Sequence, residues 1–67
     1  MSELKRVGKV CQKYRKNVLR MSLKDVGKRL GYSGSNISAF ENGYSNNAII
    51  LLWYMSKGVT IDMIMRG

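Results

Sequence analysis

Residues 22–43 read SLKDVGKRLGYSGSNISAFENG, and the punctuation of this stretch decides the fold. Ser22 can accept a backbone N–H while Asp25, three residues on, reaches back, a capping box that opens a helix running through Leu30. Gly31 stops that helix. Ser33 is a good N-cap for a next helix, which carries Ile37 and Phe40 inward and ends at Asn42-Gly43, a pair suited to a left-handed C-terminal stop. Two short helices joined by a tight turn at Gly31-Tyr32 make a helix-turn-helix. Steep crossing needs a small residue at the contact, and Gly27 is read as that residue, which accounts for a helix-propensity cost of about 1 kcal/mol against alanine. Val26, Leu30, Ile37 and Phe40 then share one core.

Upstream, at 100° per residue, Leu4, Val7, Cys11, Tyr14 and Val18 fall on one face of a first helix, and Lys5, Lys9, Lys13, Lys16 and Arg20 on the opposite face. Downstream, the loop Tyr44 to Asn47 leads into a fourth helix from about Asn47 to Lys57; Gly58 breaks it and a last short helix starts near Thr60. The expectation is an all-α, compact five-helix domain occupying residues 1–67 as one unit, without repeat or linker. With 67 residues, no proline, 45% hydrophobic and 24% charged residues, the composition is that of a small helical globule.

Ten of the twelve Lys and Arg lie in residues 1–29 against two of the four acidic residues, so the whole net charge of +8 resides there. Such asymmetry points to a polyanionic partner, nucleic acid being the commonest, with an acidic protein or a membrane surface as alternatives. The N-terminus has no signal-peptide pattern and the longest apolar stretch, Ala48 to Met55, is far below the roughly 20 residues that span a bilayer, so the bacterial cytoplasm or nucleoid is expected and no membrane association. Histidine is absent and Cys11 is the one cysteine, a buried packing residue on this reading. No metal, cofactor or small-molecule ligand is expected. Glu3, Asp25, Glu41 and Asp62 are spread over different elements, and without histidine no nucleophile and base pair can be assembled, so the chain is not expected to be an enzyme.

The pattern GxSxxxISxxENG, residues 31–43, resembles the helix-turn-helix core of the Cro and phage-repressor family. Gly58-Val59-Thr60-Ile61-Asp62 is similar to the turn and last-helix start common in those five-helix domains. The resemblance implies a cytoplasmic homodimer that sets its third helix in the major groove of double-stranded DNA and regulates transcription, as a repressor in a bacterium or its phage. Carried over by position, base readout falls to Gly34, Ser35 and Ala39, with Ser33, Asn36 and Ser38 beside them. Gly34 and Ala39 offer no side-chain hydrogen bond; Asn36 can pair with an adenine edge, Ser35 with several bases, and the Ala39 methyl can touch a thymine methyl. DNA shape is a further source of specificity. Backbone contacts fall to Asn42, Tyr44 and Asn46, uncharged where relatives often carry Lys or Arg, and to Lys16 and Arg20 at the end of the first helix. The resemblance also implies that Glu41 pairs with a basic residue late in the first helix, and the helical wheel selects Arg15.

The segment AIILLWYM, Ala48 to Met55, is apolar on every side when wound as a helix, more than one domain of this size can cover. With Ile61, Ile64 and Met65 following, Leu52, Trp53, Ile61, Ile64 and Met65 are expected at a homodimer or partner interface. The alternative is a protein-interaction module with a repressor-like fold, an antirepressor, an antitoxin or a regulator-binding protein, that uses the apolar C-terminal half or the basic first helix to hold a second regulatory protein.

Overall fold

The computed structural model describes residues 2–67, an all-α domain of five helices with no strand among them. They are α1 (Glu3–Tyr14), which continues into a π-helical turn (Arg15–Leu19), α2 (Leu23–Leu30), α3 (Gly34–Glu41), α4 (Ala48–Lys57) and α5 (Ile61–Arg66). Every helix starts on a side chain that accepts a backbone N–H: Ser2, Ser22, Ser33, Asn47 and Thr60. At Ser22 both halves of the capping box form, with Asp25 N–H donating to the serine hydroxyl at 3.0 Å and Ser22 N–H to the Asp25 carboxylate at 3.2 Å. The Ser22 backbone N–H first, and its side chain second, hold the Asp25 carboxyl below its ordinary range. Gly31 ends α2 at φ 77° with open space around it, so the left-handed backbone, and not crowding, is what calls for glycine there.

α1 lies at the centre, against α3 on one side and α5 on the other, while α2 and α3 pack as a pair. The buried core is Cys11, Val26, Ile37, Phe40, Ile50, Tyr54, Val59 and Ile64. Two glycines set how closely these pieces meet. A Cβ on Gly8 would lie 2.6 Å from the Phe40 carbonyl oxygen and against the Glu41 carbonyl too, so α1 crosses the end of α3 backbone to backbone. Gly27 is buried as expected, but a Cβ there would strike the Tyr32 carbonyl and the Ser33 backbone; it makes room for the turn and the α3 cap and not for a helix-to-helix crossing.

Three expectations are corrected. Of the expected core face, Val18 is 58% and Leu4 43% exposed, and neither joins the core. The π-helical turn widens the helix so that a wheel drawn at 100° per residue loses register, and Leu19 turns inward instead. The turn closes at Arg20, the one described non-glycine residue with positive φ (52°), a left-handed conformation that costs about 1–2 kcal/mol. Ile64, expected at an interface between subunits, is only 8% exposed and belongs to the core. It faces inward because α5 packs back on α1. Trp53, also expected there, is half-buried: its ring meets Tyr54 edge to face at 5.2 Å and packs on the core. The outward apolar surface is instead made by Ile49 and Leu52 of α4 and Ile61 and Met65 of α5.

Candidate nucleic-acid interface

What positions α3 is a buried polar cluster. Arg15 Nε and Nη2 donate to the two carboxylate oxygens of Glu41 at 2.8 and 2.9 Å, a fork geometry, and Nη1 donates to the Met21 carbonyl at 3.0 Å. The Tyr54 hydroxyl donates to Glu41 Oε2 at 2.6 Å. One carboxylate thus ties the π-helical turn, α3 and α4 together, and no buried side-chain polar atom of the described residues is left without a partner. The hydrogen bond to Glu41 pushes the Arg15 guanidinium further towards its charged form. Burial first, then the bond to Glu41, raises the Tyr54 phenol. The Cys11 thiol is pushed up to about 12 by burial and, second, by the charge of Glu41. It is a packing group. The pairing of Arg15 with Glu41 is as expected from the wheel; Tyr54 is the member that sequence reasoning missed, because a tyrosine in an apolar run carries no local sign of a partner thirteen residues back.

Around this cluster the expected base-reading residues separate. Ser35 and Asn36 are exposed on α3 and engage no partner through their side chains. The Ser33 hydroxyl is occupied as the N-cap, accepting Asn36 N–H at 3.2 Å. Ser38 is half-buried, and its Oγ and carbonyl both accept from Asn42 Nδ2, at 3.2 and 2.9 Å. The Asn42 side-chain amide nitrogen is therefore engaged within α3's last turn. Ala39 and Gly34 are half-buried; a Cβ on Gly34 would make ordinary contact, at 3.5–3.6 Å, with the first turn of α2 at Leu23 and Lys24.

Of the expected backbone-contacting residues, Asn42 and Tyr44 line one polar groove of about 300 Å³ with Lys5, Lys9 and Gln12 of α1. This brings two cations beside the loop whose own residues have none. The Tyr44 side chain is 81% exposed and its hydroxyl is free to donate. Lys16, Arg20 and Asn46 are exposed but do not line that groove. Lys5 and Lys9 carried a signal in the sequence as part of the basic stripe. What the stripe alone did not tell is that they face the end of α3, which follows from the close crossing at Gly8.

Among the described residues no three His, Cys, Asp or Glu side chains gather as a metal site, and no helix is long and apolar enough to cross a membrane. No family model, curated protein or solved structure matches the chain.

Proposed function

We propose that this chain is a non-catalytic, double-stranded DNA-binding transcriptional regulator of the Cro and phage-repressor type, a repressor that binds as a homodimer with α3 in the major groove. The observation that carries the reading is the α2–turn–α3 unit held rigidly by the Arg15–Glu41–Tyr54 cluster, with the side chains of Ser35 and Asn36 unengaged on its outer face. Rigid presentation of a few polar side chains is what base readout requires, and the cationic N-terminal half supplies the phosphate attraction that readout needs alongside it. In this reading Asn36 and Ser35 read base edges, Ala39 contributes a methyl, and Lys5, Lys9, Lys16, Arg20 and Tyr44 hold phosphates. Ile49, Leu52, Ile61 and Met65, all exposed in the single subunit, form the subunit contact, and a two-fold partner covers them with the same residues.

The test is a titration of fragments from the source genome at several salt concentrations. Binding should weaken steeply with salt, and Asn36→Ala should lower affinity for the preferred site by about 1–3 kcal/mol while leaving random DNA nearly unaffected. Equal loss on both DNAs, or none, would remove α3 as the reader. A second reading, a repressor-like domain that binds a protein, is favoured by the engagement of the Asn42 amide nitrogen with Ser38 and by the lack of any charged side chain on the outer face of α3. Through the apolar face of Ile49, Leu52, Ile61 and Met65, such a complex should be insensitive to salt.

A further inference from the structure

We infer that the groove between α1 and α5 is a docking site for an acidic amphipathic helix of a partner protein. The groove encloses about 430 Å³, and no Asp or Glu side chain lines it; Gly67 packs against Val10 at one edge. Val10, Val18 and Met63 give it an apolar floor, and Arg6, Lys9, Lys13 and Arg66 stand along it. Val18 is the residue that the π-helical turn moved out of the core, so its exposure has a use here that it lacks in the isolated domain. Lys9 and Lys13 form no ion pair among the described residues. Arg6 and Arg66 have only solvent-exposed ones, with Glu3 at 3.8 Å and with Asp62 at 3.0 Å, of the kind that contributes little and exchanges readily.

Shape and charge together select the occupant. From Arg6 to Val18 the groove follows the helix for roughly 18 Å, about three turns of a partner helix. Apolar side chains at i, i+3 or i+4 and i+7 would fill the floor, with Glu and Asp flanking them to meet the cations. A second copy of this chain is a poor occupant, because it carries +8 and only four acidic residues. Nucleic acid has no use for the apolar floor, and a flat anionic bilayer cannot enter a concave groove. Gly8, Cys11 and Arg15 mark the side of α1 that faces α3, whereas Arg6, Val10 and Lys13 fall on the opposite flank, so an occupied groove leaves α3 free. Lys9 lines both this groove and the polar groove beside Asn42 and Tyr44, so the two readings share that one cation and otherwise use different residues.

The probe is a synthetic peptide of about fourteen residues with Leu at i, i+3, i+7 and Glu flanking them, set against a scrambled peptide of the same composition, with amide chemical shifts recorded on the full chain. Binding of the amphipathic peptide should move the resonances of Val10, Tyr14, Val18 and Met63. Lys13→Glu should weaken it roughly fivefold at low salt, and a peptide with Lys in place of Glu should not bind. Val18→Asp, at an exposed position, should abolish binding with the fold intact by circular dichroism. Equal binding of the scrambled peptide, shifts confined to Ile49, Leu52 and Met65, or no binding at millimolar peptide would each overturn the assignment.

Discussion

α3 and α4 are both short helices with one buried side, and one hydrogen bond, Tyr54 to Glu41, connects them. Their outer faces are opposites. α3 shows Ser35 and Asn36 to solvent, and α4 shows Ile49 and Leu52, the latter 63% exposed. Neither face carries a charge that would explain it as a solvated surface. Small polar groups on a rigid helix suit a ligand with hydrogen-bonding edges, whereas exposed aliphatic side chains favour an apolar partner, so the two faces divide the proposed function between DNA and a second subunit.

The sharpest way to break this arrangement is to cut the link beneath it. Glu41→Ala leaves the Arg15 guanidinium buried and unpaired, and should cost about 3–5 kcal/mol, comparable with the entire stability of a domain this small. Arg15→Ala should also destabilise, and the double variant should lose less than the sum in a urea-unfolding cycle. Additive losses would show that the two are energetically independent despite their contact.

Gly8→Ala comes next, because the new Cβ meets backbone carbonyls that cannot swing aside; a loss of about 1–3 kcal/mol in chemical unfolding is expected. Gly34→Ala, at a glycine with ordinary contact distances, should be neutral or stabilising by comparison. Gly34→Gln should likewise fold, and by restoring a long polar side chain beside Asn36 it should sharpen discrimination between specific and random DNA.

The α4 side is tested by Leu52→Glu. Since Leu52 is exposed in the single subunit, the variant should retain its helical content yet sediment as a monomer at micromolar concentration, and its DNA affinity should fall although α3 is untouched. A wild type that is itself monomeric would sink the dimer. Ile64→Asp is the control with the opposite outcome, because a buried carboxylate unfolds the domain and does not separate subunits.

The smallest expected effect concerns pH. The Cys11 thiol has its folded pKa raised from 9.0 to about 12, so the unfolded chain gives up this proton more readily than the folded one. The associated stability is fully present below pH 9 and is lost as pH rises from there towards 12. Unfolding measured at pH 8 and pH 10.5 should therefore show a larger drop for wild type than for Cys11→Ala, and native Cys11 should resist thiol reagents at pH 8 until the chain is unfolded. Equal drops would mean that the thiol titrates alike in both states.

The sequence by itself determined the helices and their starts, since a cap is a bond between residues two or three apart: Ser22 with Asp25, Ser33 with the backbone of Asn36, Thr60 with that of Met63. It also determined where the charge lies, and the wheel was sound enough through α1 to select Arg15 for Glu41. Beyond Arg15 the same wheel failed, because a π-helical turn changes the register and periodicity read from letters assumes a constant pitch. Only the tertiary structure decided that Val18 faces out and Ile64 in, that Tyr54 joins the ion pair, and that Gly8 is where α1 meets the end of α3. These are contacts between residues distant in the chain, and in an apolar run such as Ala48 to Met55 every position satisfies the helix equally well. Which side is covered depends on what the rest of the chain brings against it.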